Sequence, residues 1–327
     1  MSRSNTHKTI FAYQVLLLLA AAIWGLGTVV VKDTVSLIPP AWLVGIRFTS
    51  AGVIFCALFL PRLVKIARAG RLPDHLRAGL ALGLLVIFAY LLNTGGLTGT
   101  TAAKSSFLTG TYCVLVPFLA WAVMRRRPTM YSLAAAALCL AGIGFVSLPA
   151  DGSLTLSWGD AVTLGSAVFL GVQVVMTAKL APGRDMPVLT ALQFLFGGVF
   201  ALGVGALFEP WPAPGLVLSV QVLPNLAYLV VFATCAALLL QNLGLARVAP
   251  STGALLLSFE SVFGVLFSVL LLGESLTVSM VVGFFLIFAA VLVSEWLPTF
   301  KLEKRVLKRM RDAGRFRRFD RDDDRGA

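Results

Sequence analysis

The stretch Ala246–Thr277, ARVAPSTGALLLSFESVFGVLFSVLLLGESLT, decides the fold. From Val248 to Gly273 it runs apolar and small, with one charge, Glu260, at its middle. About 20 apolar residues cross the hydrocarbon core of a bilayer, so this segment is long enough to span one. A carboxylate in mid-span costs at least about 2.5 kcal/mol to insert, and such groups face a bundle interior or a cavity. The same plan recurs 148 residues upstream. Thr98–Thr129, TGTTAAKSSFLTGTYCVLVPFLAWAVMRRRPT, has a weakly polar start, a long apolar run and a turn ending in threonine. The chain reads as two copies of one unit.

Composition agrees with a membrane protein. Of 327 residues 58% are hydrophobic and only 13% charged, with a mean hydropathy of +0.90. A soluble domain carries about 25% charged residues, so lipid must cover much of this surface. Stretches with no charge or one isolated charge are Thr9–Val31, Ala41–Leu60, Ala78–Leu97, Ser105–Met124 and Thr129–Ala150 in the first half. The second half has Ala161–Ala178, Met186–Phe208, Leu226–Ala246, Val248–Gly273 and Ser275–Ser294. Because a lipid-exposed span must satisfy its own backbone hydrogen bonds, these predict an all-α membrane protein of ten transmembrane helices.

Basic residues orient the chain. With the N-terminus in the cytoplasm, 24 of the 27 Lys and Arg fall on the inside, eleven of them after Leu297. Lys32 reads as interfacial, and Arg47 and Lys104 lie within or near spans. The opposite turns carry Asp33, Asp151, Glu209 and Glu274. A multi-pass protein of the cell (inner) membrane with both termini cytoplasmic is the expectation. This placement also accounts for the net charge of +12 without a nucleic-acid partner. Cys56, Cys113, Cys139 and Cys235 lie in apolar spans with no paired spacing, so they read as small buried hydrophobes. His7 and His75 are too few for a metal or catalytic cluster, and no cofactor or metal is expected. The first apolar run is too long for a cleavable signal.

The halves match element by element. Pro40, Arg47, Phe48 and Gly52 are echoed by Pro187, Gln193, Phe194 and Gly198; Asn93 and Gly96 by Gln241 and Gly244; Trp24 by Phe169. Five spans per half, an odd number, make the second copy cross in the opposite sense, as in many transporters. The expected organisation is a first repeat over 1–150, an inverted repeat over 151–297 and a basic tail over 298–327. Leu302, Val306, Met310 and Phe316 share a face of that tail, which suits either anionic headgroups or plain solvation.

Trp24-Gly25, Arg47 and LLLSFESVFGVLFSVLLLGESLT (255–277) resemble the EamA-type drug/metabolite transporters. The resemblance covers about residues 12–297. It implies a carrier exporting amino acids or other small metabolites on an ion gradient. One departure is Arg125-Arg126-Arg127, where the second copy has Gly273-Glu274-Ser275, which makes the first-copy hairpin a topology signal.

Candidate substrate-binding residues are the large polar or aromatic groups buried in the spans: Trp24, Arg47, Tyr90, Asn93, Tyr112, Gln173, Gln193, Gln241 and Glu260. Glu260 shares a helical face with Gly253 and Gly264, which fits either a cavity-facing carboxylate for a cation or proton, or a packing site with the acid protonated and hydrogen-bonded. Arg47 suits a substrate carboxylate, but its depth favours snorkelling to headgroups, and Lys104 does so more strongly. The hydroxyls of Thr98, Thr101, Ser105 and Thr109 precede Tyr112 as a stripe whose simplest use is backbone bonding. Gly99-Thr-Thr-Ala-Ala-Lys104-Ser105 lacks the second glycine and the preceding strand of a phosphate loop, so nothing supports ATP-driven transport.

An acid and a base on one path suit a small zwitterion, with a proton as the candidate coupling ion. Cationic drugs or nucleotide-sugar-like solutes are the alternatives, and a multipass membrane enzyme or a pore the readings of another class. No catalytic cluster supports the enzyme, and a pore needs a ring of like residues.

Overall fold

The computed structural model describes residues 3–125, 127–147, 156–213, 215–245 and 250–293. Asp151, Arg126, Arg247 and the basic tail, all used to orient the chain, lie outside the described residues. The described elements are helical. In chain order they are α1 (Arg3–Thr34), α2 (Pro40–Leu58), α3 (Leu60–Arg68), α4 (Leu72–Gly96), α5 (Ala102–Gly110), α6 (Tyr112–Met124) and α7 (Met130–Ser147). Then follow α8 (Trp158–Leu180), α9 (Met186–Phe208), a 3-10 turn at Leu216–Leu218, α10 (Leu223–Ala227), a π-helical stretch Tyr228–Ala236, α11 (Ala237–Leu245) and α12 (Pro250–Leu272). The last is α13 (Val278–Val293). Among the described residues, seven helical segments are long and apolar enough to cross a bilayer, and Met130–Val146, Leu256–Leu272 and Val278–Val293 are shorter apolar helices.

Three elements differ from the expectation. The nine residues of α3, with Arg62, Lys65 and Arg68, make a short amphipathic helix with no buried side chain. Such a helix lies along an interface instead of crossing it. The expected span Ser105–Met124 starts earlier, at Ala102, and is divided at Thr111. The expected span Leu226–Ala246 is a composite whose middle widens to π geometry. Charge-free runs report the length of a span but carry no signal for its continuity.

The surface inverts the soluble pattern. Leu58, Leu80, Leu140, Leu207, Phe208 and Phe285 are exposed, whereas Arg47, Thr94, Ser105, Asp160, Thr163 and Thr234 are buried. Close crossings rely on glycine, as small residues do between helices in lipid. Gly198 makes the closest approach to another backbone among the described glycines, because a Cβ there would stand 2.2 Å from the Thr49 amide nitrogen. Through that crossing α2 and α9 run antiparallel, with Gly45 on Leu202 and Gly52 on Leu195.

Contacts between the halves are reciprocal. The first helix of each half, α1 or α8, packs on the third of the other, α10–α11 or α4. The fourth helices also meet, α5 lying along α12, where Ser261 Oγ donates to the Ser106 carbonyl at 3.1 Å. Beyond Thr111, α6 instead packs on α8, with Leu119 over Gly171. The fourth helices therefore touch near Glu274 and diverge toward the end of the bundle that holds Asp185.

Candidate functional site

Where the two halves meet, side chains from both enclose a cavity of about 520 Å³. All nine candidate residues line it: Trp24 from α1, Arg47 from α2, Tyr90 and Asn93 from α4, Tyr112 from α6, Gln173 from α8, Gln193 from α9, Gln241 from α11 and Glu260 from α12. Polar groups that lipid would penalise find a shared interior, which is the arrangement that mid-span charge requires. The volume falls in the range of small-molecule sites.

Arg47 corrects one expectation. It is 7% exposed and does not snorkel. Its Nε donates to Thr234 Oγ1 at 2.9 Å, and its guanidinium carbon sits 5.1 Å from the Phe48 ring centre and 5.3 Å from that of Tyr90. Phe48 and Tyr90 meet edge to face at 4.6 Å, so aromatic walls fix the guanidinium plane. Thr234 in turn donates to the Leu229 carbonyl, five residues back, at 2.8 Å. The π stretch thus aims Thr234 at Arg47. It also presents the Ala233 carbonyl to Trp24 Nε1 at 2.8 Å, while Tyr228 OH donates to the Ile23 carbonyl at 2.8 Å. π-helical turns occur often at functional sites.

Glu260 lines the same cavity, and its helix also makes a close crossing. The α1–α12 crossing is so close at Gly25 that a Cβ there would stand 2.7 Å from the Gly264 nitrogen and 2.9 Å from the Glu260 carbonyl oxygen. Glu260 and Arg47 interact electrostatically, yet the three ion pairs among the described residues lie elsewhere. The cavity therefore holds an acid and a base that do not pair with each other.

Asn93 and Gln173 are positioned by hydrogen bonds. Asn93 Nδ2 donates to Thr109 Oγ1 at 2.8 Å and more weakly to Ser105 Oγ at 3.4 Å. Gln173 Nε2 donates to Thr177 Oγ1 at 3.1 Å. The hydroxyl stripe splits accordingly. Thr98 bonds the Gly95 carbonyl and Thr101 caps α5 by accepting from the Lys104 amide, whereas Ser105 and Thr109 hold Asn93. Phe169, the echo of Trp24, stacks on Phe88 at 5.8 Å and is not a cavity wall.

Lys104 is a second correction. Its Nζ lies 3.4 Å from Oδ2 of Asp160, which is fully buried in the first turn of α8 and also accepts from Thr100 Oγ1. Lys32 donates to the carbonyls of Leu97 at 2.6 Å and Thr100 at 2.7 Å, so backbone holds its ammonium. Sequence reasoning passed over Asp160 and Thr234. The S-x-x-D start of α8, Ser157 to Asp160, is the capping signal that places Asp160 in a helix. Thr234 stands out only as a hydroxyl in an apolar run.

Comparison with known proteins agrees with this architecture. The model of the EamA-like transporter family matches residues 12–148 and again 157–296. An uncharacterized transporter of Archaeoglobus fulgidus is 31% identical over 281 residues, covering 85% of this chain and 83% of that protein. The uncharacterized transporter YoaV of Bacillus subtilis is 23% identical, covering 86% and 95%. A crystal structure 18% identical to this chain covers 89% of it and 99% of its own length with a TM-score of 0.59, a likeness of fold alone. The chain is a multi-pass membrane protein that belongs to the EamA-like transporter family.

Proposed function

We propose that this transporter is a ten-span secondary carrier that exports small zwitterions, amino acids first among them, by alternating access. Both termini face the cytoplasm of the cell (inner) membrane, and the two five-helix repeats are inverted. The observation that carries the reading is that Arg47 and Glu260 line one cavity and, among the described residues, neither takes part in an ion pair. A desolvated carboxylate and ammonium each need a partner, and a zwitterion supplies the complement to both groups. The reciprocal contacts of the halves support inversion, since rocking about such an interface exposes a midplane site to either face. A proton is the coupling ion that Glu260 suits. The nine lining candidates are read as the substrate-binding set.

A cationic drug is the second reading, favoured by the rings of Trp24, Tyr90, Tyr112 and Phe288 in the same cavity as Glu260. A nucleotide sugar fits less well, because Lys32 and Lys104 are held elsewhere and Arg47 is the cavity's basic side chain among the described residues. Cells loaded with amino acids and overproducing the protein should release one or more of them faster than cells carrying Arg47→Ala. Release equal to that of cells lacking the protein, together with protection from a cationic drug, would replace the zwitterion by the cation.

A further inference from the structure

Above the cavity, the five residues between α4 and α5 and the first two of α5 are tied to three other parts of the bundle. From α1, Lys32 donates to the Leu97 and Thr100 carbonyls at 2.6 and 2.7 Å. From α8, Asp160 accepts from Thr100 Oγ1 and pairs with Lys104 just beyond the loop. From the turn between α12 and α13, Glu274 accepts from the Ala102 amide at 2.7 Å and the Ala103 amide at 2.9 Å. The backbones touch as well, since a Cβ on Gly159 would stand 2.3 Å from the Gly99 carbonyl carbon. Directly beneath lie cavity walls: Val31 beside Lys32, and Ser106, Phe107 and Thr109 in α5.

The second half repeats the device nearby. Glu209, after α9, accepts from the Ala41 amide at 3.0 Å and the Trp42 amide at 3.3 Å. Pro39 at the start of α2 makes no side-chain cap of its own. Charge-assisted bonds to a helix N-terminus are stronger than neutral ones and add the favourable dipole term.

We propose that residues 97–103 form the extracellular gate, latched by Lys32, Asp160 and Glu274, and that opening the cavity outward requires these latches to part. The proposal rests on the alternating-access reading. It follows from where the contacts sit. The fourth helices are held together at the latched end and diverge at the other, so the conformation described is closed at the gate. The latches join α5 to α1, α8 and α12, which are elements that a rocking motion must separate.

The test places a single cysteine, Thr28→Cys, in the cavity wall of an otherwise cysteine-free chain. Its rate of reaction with an impermeant thiol reagent is followed in intact cells and in inverted membrane vesicles. The gate predicts slow labelling from outside in the parent. Adding Glu274→Gln, which leaves one acceptor for two amides, or Lys32→Met should speed outside labelling by on the order of tenfold. Membrane abundance checks folding, and Lys32→Met carries the expectation alone if Glu274→Gln does not accumulate. Outside labelling no faster than the parent in either folded variant overturns the proposal, as does acceleration confined to inverted vesicles. Labelling needs no solute. A wild type that releases no amino acid would therefore remove the zwitterion reading and leave the gate standing.

Discussion

The fourth spans of the two halves descend from matching stretches of sequence and are built differently. In the second half α12 runs unbroken from Pro250 to Leu272. In the first half the helix stops at Gly110, and the Thr111 amide reaches the Leu108 carbonyl, three residues back, at 3.3 Å. Helix α6 then restarts with Pro117 inside it, which removes a further backbone donor and favours a bend. The third spans show the reverse: α4 is regular and its partner carries the π stretch. Each half thus holds one regular and one irregular helix against the cavity, and the irregular one differs. The two fourth spans hold matching positions, but α12 is an unbroken wall and α5–α6 a wall divided at Thr111.

That contrast is most exposed to test where α1 crosses α12. At Gly25 on the α12 face, backbone atoms block any side chain, so Gly25→Leu should cost about 3 kcal/mol or more. Little protein should reach the membrane, as read by abundance and by thermal unfolding in detergent. A Gly25→Leu protein of wild-type stability would show that α12 is not a firm wall.

The next effects concern function. Glu260 in α12 and Tyr112 in α6 occupy matching places in the two fourth spans. Glu260→Gln removes a charged partner and should lower solute affinity about tenfold to a hundredfold; Tyr112→Phe removes one neutral bond and should cost about tenfold at most. Equal losses, measured by direct binding, would erase the asymmetry. Pro117→Ala restores a backbone donor, so it should raise thermal stability by about 1 kcal/mol while slowing transport. Faster transport in a stiffer α6 would argue against a joint there. The smallest change is expected for Gly110→Ala. Its new Cβ meets only Ser261 Oγ at 2.9 Å, and a turn of that side chain, at the expense of its bond to the Ser106 carbonyl, makes room. Stability should fall by about 0.5 kcal/mol.

Much of this was legible in the residues. Glu260, Arg47, Asn93 and the glutamines announce an interior because each is costly in hydrocarbon, and one cavity collects them all. Depth alone misled for Arg47, since whether a long base snorkels depends on what its helix face meets. Its partner Thr234 comes from 187 residues away. Asp160 adjoins a charge-free run and so resembles an ordinary surface charge; only its partners Thr100 and Lys104 reveal burial. In the sequence Glu209 and Glu274 mark a membrane face, and in the structure they also cap helices of the other half. Long-range partners of this kind have no local pattern.

The central claim, a carrier whose Arg47–Glu260 cavity opens alternately to each side, is tested most directly by counterflow. Purified protein in liposomes loaded with unlabelled amino acid should draw in a trace of the same labelled compound above its equilibrium level, then release it. Arg47→Ala, equally abundant, should show no overshoot. Simple equilibration without overshoot by the wild type, for every amino acid that binds, would contradict alternating access, and an unchanged overshoot in Arg47→Ala would contradict the assigned cavity.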